Sequence, residues 1–450
     1  MANITTLLTY GLKVFSVEQT YFSPIVSIPN SSGSLSSIYC FLSNDYPWDD
    51  NNIVIPNGSQ KYLKEVQKNI FVAKRINVND ISPVLRRIDW TYNTVYDFYR
   101  DDIDMVAQDI NKVPLYTFYV KNVYDQVFKC LWNNNGEAST EEPVFEPGKF
   151  LSDNIYYGSD GYKWKYIYTI NSAEKVKFMD SSWMPIPASI ESASPLNKSA
   201  GYGNIDVINV TNGGVNYNTD VTITITGDGT GASGTVVKSN GAITDITVTS
   251  SGTNYTYANV IITSSTGSNA TAIAPVSPVG GHGSDPISEL GCSHVMMTSQ
   301  FNSSESGLIP TNISYHQLGI LIDPVLSSTG NKANGTIYKT TTDLIVSSGF
   351  GDYIQNEMVF QGDSLETSTF SARVLDFDSS NNIIHTINTK GSLILNYPVF
   401  GDISRTTRTL TSNSSSDFVA LSGYVGYVDN RTSIIRNEDG IEQFKVVIEF

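Results

Sequence analysis

Residues 162–168 read Tyr162-Lys163-Trp164-Lys165-Tyr166-Ile167-Tyr168. Aromatic and basic residues alternate. A period of two belongs to a strand, whose successive side chains point to opposite faces, so Tyr162, Trp164, Tyr166 and Tyr168 share one face. The neighbours read the same way. Residues 116–120 and 127–132 are apolar, aromatic-rich runs of strand type, and Asn133-Asn134-Asn135-Gly136 is a turn. Residues 38–43, 353–361 and 371–377 are further strands, with a turn at 378–382. Ser31-Ser32-Gly33-Ser34 is a loop, and residues 45–50 form a turn carrying Tyr46 and Trp48. At the C-terminus Phe444, Val446, Ile448 and Phe450 alternate on one face. Residues 59–75 alone have helical spacing, with Ser59 as N-cap and Leu63, Val66, Ile70 and Ala73 on one side. The chain reads as mainly β.

A repeat lies beyond the alternating stretch. Ile208-Asn209-Val210-Thr211 leads to Gly213-Gly214-Val215-Asn216-Tyr217. The pattern recurs 38 residues on (208 to 246, 217 to 255) as Ile246-Thr247-Val248-Thr249 and Ser251-Gly252-Thr253-Asn254-Tyr255. This is a duplicated β-unit, and two copies make a small module rather than a long solenoid. It ends at Pro278-Val279-Gly280-Gly281-His282-Gly283-Ser284-Asp285-Pro286-Ile287-Ser288-Glu289-Leu290. Such a Gly- and Pro-rich stretch is either an active-site loop or the seam where the module returns to the scaffold. The seam reading makes Gly280, Gly281 and Gly283 backbone requirements and leaves His282 the more replaceable residue. Short strands between 331 and 415 predict a second, barrel-like module.

Composition excludes several classes. Lys and Arg number 28 against 44 Asp and Glu, a formal charge of −16, and a nucleic-acid groove needs a local basic excess that Lys74-Arg75 and Arg86-Arg87 do not supply. Cys40, Cys130 and Cys292 are an odd, dispersed set, which argues for buried thiols rather than disulfides or zinc. The N-terminal residues lack the pattern of a signal peptide, and no apolar run reaches the ~18 residues of a membrane span.

Few constellations carry chemistry. His282 with Asp285 is a candidate acid–base pair, but His294 and His316 stand at no metal-ligand spacing to it. Gly227-Asp228-Gly229-Thr230-Gly231-Ala232-Ser233-Gly234 imitates a dinucleotide fingerprint, yet strand-like Thr235-Val236-Val237 follows where a helix is needed. Asp101-Asp102-Ile103-Asp104 and Asp49-Asp50 lack the glycine and closing glutamate of a calcium loop and read as solvated acidic turns. The aromatic face of 162–168 is either a core or interface face or a sugar platform. Neither a nucleophile elbow nor a Walker loop occurs. No catalytic, cofactor-binding or metal-binding residue is assigned, and no cofactor is expected.

The order of motifs resembles the baseplate wedge subunit of T-even-like contractile-tailed bacteriophages, the dimeric protein bridging inner and outer wedge proteins. The matching elements are Pro47-Trp48, Arg86-Arg87-Ile88-Asp89-Trp90, Val127-Phe128-Lys129-Cys130-Leu131, Asp160-Gly161-Tyr162-Lys163-Trp164-Lys165-Tyr166 and Met184-Pro185-Ile186-Pro187. Further on come residues 315–324, with His316 in place of an arginine, Tyr427-Val428-Asp429-Asn430-Arg431, and the strand ending at Phe450. The resemblance covers roughly 1–190, 285–328 and 420–450.

Its implications are expectations. The fold is a β-sandwich-like scaffold with one packed amphipathic helix and two inserted small β-modules. The scaffold spans 1–198, 280–330 and 419–450, and the modules 199–279 and 331–418. The chain would be a non-enzymatic structural component of a phage tail baseplate. It would be made in the host cytoplasm and built into the virion, as a homodimer touching other wedge proteins, with no nucleic acid and no membrane insertion. The alternative is a tail-associated adhesin binding host glycan through the first module. A third reading is an enzyme centred on His282 and Asp285.

Overall fold

In the computed structural model the alternating stretch is the strand Tyr162–Thr169. The structure describes residues 36–44, 52–110, 113–146, 154–187 and 203–449. The loop at 31–34, the turn at 45–50 with Pro47-Trp48 and Asp49-Asp50, and Phe450 lie outside them. The fold is mainly β, with sandwich-like character. Two compact units are formed, one of Ser82–Val295 and one of the residues before 82 together with Met296–Phe450. The stretches expected as one scaffold are shared between them, and each unit carries one of the expected modules.

In the first unit, Tyr162–Thr169 lies second in a four-stranded antiparallel sheet, between Ile155–Tyr157 and Gln126–Asn133, with Tyr119–Lys121 beyond. Its aromatic face is core: Tyr162, Trp164 and Tyr166 pack with Tyr96, Val120, Phe128 and Cys130. Tyr162 and Trp164 stack at 5.4 Å, and Tyr96 meets Trp164 edge-on at 5.5 Å. A register shift between Val127 and Phe128 carries Tyr168 into a second cluster with Phe118, Met179 and Leu290. These rings are buried, so they form no exposed sugar platform.

The duplicated unit folds as an interlocked pair. Its first copy supplies Asn209–Val215, Val221–Gly227 and Thr230–Ser239; the second supplies the later half of Ala242–Thr253, then Ala258–Ser264 and Ser268–Ile273. The first strand of each copy pairs with the third strand of the other, and the middle strands pair together. Both cross-pairings slip register at equivalent places, Ser233/Gly234 and Thr271/Ala272. Ile208 and Ile246, equivalent residues, bridge each other, so the local two-fold axis passes between them. The glycines have a steric reason. A Cβ on Gly229 would lie 2.4 Å from the Tyr255 ring, and one on Gly267, its equivalent, 2.2 Å from the Tyr217 ring. After Gly227–Gly229 comes a strand, so no helix terminus stands there to hold a pyrophosphate.

In the second unit, Ile38–Ser43 is the middle of a five-stranded sheet, flanked by Ile70–Arg75 and Ser314–Ile322, with Ile337–Lys339 and Tyr424–Ile435 outermost. The helix expected over 59–75 covers only Gln60–Lys68, capped by Ser59 Oγ accepting from the Tyr62 amide at 3.3 Å. The remainder is the strand Ile70–Arg75. Ile70 and Ala73 suit either period, but Ile70-Phe71-Val72-Ala73 is buried on both faces, and pairing with Ile38–Ser43 satisfies its backbone. Six strands between 342 and 414 close into a barrel around Leu344, Val359, Val374 and Leu410. Within 353–361 only Met358–Gln361 is strand; Tyr353 reaches the barrel core from a loop and donates to the Val399 carbonyl. The C-terminal strand Ile441–Glu449 runs beside residues 296–302, with Phe444 edge-on to Phe301.

Candidate functional site

The opposite face of the four-stranded sheet carries lysines. Lys129 on Gln126–Asn133 stands directly across from Lys165 on Tyr162–Thr169, and Lys163 follows two residues before on the same strand. All three are buried. Like charges directly opposite on a sheet repel, and an uncompensated buried ammonium costs several kcal/mol. Carboxylates from the chain after residue 203 answer each one. Glu289 Oε1 is 2.7 Å from Lys129 Nζ, Asp245 Oδ1 is 2.9 Å from Lys163 Nζ, and Asp206 Oδ2 is 3.5 Å from Lys165 Nζ.

Around these ion pairs the duplicated module docks on the sheet. Lys163 Nζ also donates to the Ile208 carbonyl at 3.1 Å, beside the local two-fold axis. Asn209 Nδ2 donates to the Leu131 carbonyl at 2.9 Å, and Val207 packs on Leu131 and Ile155. One strand face is thus core and the other is the seat of an inserted module.

The seam at 278–290 closes this arrangement. Gly280, Gly281 and Gly283 have φ of 84°, 84° and 81°, a left-handed conformation in which a side chain is strained. That path brings His282 inside, where it is 2% exposed. Its Nδ1 lies 2.9 Å from Glu289 Oε1 and 3.2 Å from Lys129 Nζ, and its ring meets Tyr99 edge-on at 5.0 Å. Glu289 Oε2 accepts from the Gly283 amide at 2.5 Å. The face of Tyr99 lies 3.5 Å beneath Lys129 Nζ, and its hydroxyl donates to the Val276 carbonyl. A carboxylate and an aromatic face around Nζ are the surroundings of an ammonium. A carboxylate can only accept and an ammonium can only donate, so Nδ1 of a neutral imidazole serves one of the two: protonated it donates to Glu289, bare it accepts from Lys129.

Burial would lift the Glu289 carboxyl; the Lys129 charge and the His282 hydrogen bond outweigh it and hold the group down at about 2. Burial, then the Lys129 charge, lower the His282 imidazole, with Glu289 opposing. Burial also lowers Lys129, against the pull of Glu289.

Two expectations are corrected here. The carboxylate partner of His282 is Glu289, not Asp285. Asp285 caps the short helix Pro286–Glu289, accepting from the Ser288 amide and, at 2.8 Å, from its hydroxyl. The loop position expected for His282 is also revised, since its ring is buried in an ion-paired layer. Sequence reasoning missed Glu289, Lys129 and Asp206. The one available signal was Lys163 and Lys165 sharing a face of a strand flanked by apolar strands.

The other candidates disperse. Asp102 pairs with Arg100 at 2.6 Å, and Asp104 accepts from the Val106 amide. Among the described residues no group of three or more His, Cys, Asp or Glu side chains is placed to hold a metal ion. His294 stacks on Trp183 at 4.6 Å, while His316 is buried in Ser314–Ile322 of the other unit. Cys40, Cys130 and Cys292 are free thiols whose pKa burial raises, Cys40 and Cys292 to about 12.

Comparison with protein-family models and with curated proteins finds no match to this chain.

Proposed function

We propose that this protein is a non-enzymatic structural component of a contractile phage tail baseplate, a wedge protein that links neighbouring wedge subunits as a homodimer within the virion. The observation that carries the reading is what the chain does with its most reactive groups. Lys129, His282 and Glu289 are spent on fixing the seam after the module to a sheet, with both Glu289 oxygens engaged, as Lys163–Asp245 and Lys165–Asp206 fix the module itself. Groups so committed hold one part of the fold against another, which is what a structural subunit requires.

Exposed apolar side chains support it. Ile110 is 96% exposed, with Val113 and Leu115 close by in the first unit; in the second, Phe350 is fully exposed on a barrel loop. Large apolar groups left in water are the raw material of protein interfaces. The collinear motifs between Arg86 and Pro187 and the terminal strand supply the family side of the argument. No helix among the described residues is long and apolar enough to cross a membrane.

The test is assembly. The purified chain is expected to run as a dimer in light scattering and to enter a complex with the neighbouring tail proteins encoded beside it. A stable monomer that joins none of them sinks the proposal.

A further inference from the structure

The module's local two-fold axis makes its docking lopsided. Two clefts flank the Lys163–Asp245 contact, and Tyr157, Lys163 and Asp245 line both. The first, of about 370 Å³, has residues 210–213 as its module wall; the second, of about 620 Å³, has residues 248–251, the same segment one repeat later. The facing walls are equivalent as well, Thr244 and Asp245 in one and Asp206 and Val207 in the other. One quasi-symmetric surface is therefore presented twice. The turns at 134–135 and 158–161 narrow the first half, where the Asn135 amide donates to the Val210 carbonyl at 3.4 Å. In the second half only Tyr157 and Lys163 come from the sheet.

We infer that the wider half is a binding cleft for a neutral carbohydrate chain. Its charges cancel locally, since Lys163 is paired with Asp245 and Asp206 with Lys165, which leaves no net charge to select an ion. The module wall offers the exposed hydroxyls of Thr247 and Ser250, and among the described residues neither has a side-chain hydrogen-bond partner. Tyr157, 46% exposed and in register beside Lys163, gives an aromatic surface on which the C–H face of a sugar can lie. The narrower twin shows what this surface accepts, a neutral hydrogen-bonding group presented to a strand carbonyl. A volume of about 620 Å³ is in the usual range of a small-ligand site, which takes a few sugar residues. The cleft carries this inference whatever particle the chain belongs to.

Saturation-transfer NMR on the full chain tests it, with chitotriose and maltotriose as neutral probes and sialyllactose as an acidic one. Transfer is expected to at least one neutral probe. Tyr157→Ala and the double change Thr247→Val with Ser250→Ala are each expected to weaken binding about tenfold, the loss of roughly one aromatic or hydrogen-bonding contact. Thr211→Val, in the narrower twin, is expected to leave binding unchanged. All of these sites but Tyr157 lie on the module's exposed strands, and a circular dichroism spectrum checks that each variant is folded. Transfer to neither neutral probe, transfer to sialyllactose alone, or binding undiminished in both wider-cleft variants overturns the inference.

Discussion

Glu289→Gln isolates the charge at the seam while keeping its shape. The carboxylate is 2% exposed and meets Lys129, which is fully buried, at 2.7 Å. Breaking a buried pair by neutralising one partner costs about 3–5 kcal/mol, because the other charge stays buried and unanswered. A second route gives a similar figure. A carboxyl moved from 4.5 to about 2 by folding contributes on the order of 3 kcal/mol at neutral pH. The sign follows from proton counts. Between pH 4.5 and 2 the unfolded chain binds the proton first, so the contribution is complete above 4.5 and is lost as pH falls towards 2. Urea unfolding followed by tryptophan fluorescence reads chiefly this unit, since four of the five tryptophans, Trp90, Trp132, Trp164 and Trp183, belong to it. Glu289→Gln is expected to lower its stability by about 3 kcal/mol at pH 7 and to flatten its pH dependence below 4.5 by up to about 1.4 kcal/mol per pH unit. Adding Lys129→Met is expected to restore most of the loss, since an apolar side chain of similar volume removes the stranded charge. A cost under about 1 kcal/mol, or a double variant no better than the single one, would refute the ion-pair reasoning.

Three further outcomes follow from particular contacts. His282 also has its pKa lowered by folding, so acidification below 6.5 is expected to weaken the first unit before Glu289 titrates; His282→Ala is expected to remove this early step while lowering stability at pH 7, both read by the same fluorescence titration. Gly229→Ala and Gly267→Ala place a methyl group against the equivalent rings of Tyr255 and Tyr217, and each is expected to cost about 1–3 kcal/mol, with the two Tm shifts alike because the sites are related by the local two-fold. Ser59→Ala removes the helix cap on Tyr62 and is expected to cost about 1 kcal/mol, read as faster amide exchange in 60–68 with the tryptophan signal of the first unit unmoved.

Much of the fold is legible wherever one local period dominates. Residues 162–168 alternate because one face is aromatic core, and the repeat betrays itself because the same glycines must clear the same tyrosines in both copies. The strand at 38–43 is legible because all six residues are buried and apolar or small. The helix ran too long in the sequence because Ile70 and Ala73 satisfy two periods at once, and only pairing with a distant strand decides between them. The site was less legible still. Asp285, three residues from His282, is the obvious partner by proximity, yet its oxygens go to the turn it caps. Glu289 meets Lys129 across 160 residues of chain, and nothing local marks that contact. A lysine on a buried strand reads as a solvent-facing residue until the module covering it is in place.

The exchange of strands inside the duplicated module has a consequence for its making. Each copy holds the partners the other lacks, which is the pattern of an intertwined homodimer whose two chains have been joined through Asn240-Gly241. During synthesis the first strand, Asn209–Val215, finds its mate only when Ser268–Ile273 has left the ribosome. At about 5–20 residues per second that interval is several seconds. Throughout it a β-prone segment stays open to other nascent chains, and its two glycines, in place of side chains that could interdigitate, keep that wait from ending in aggregation.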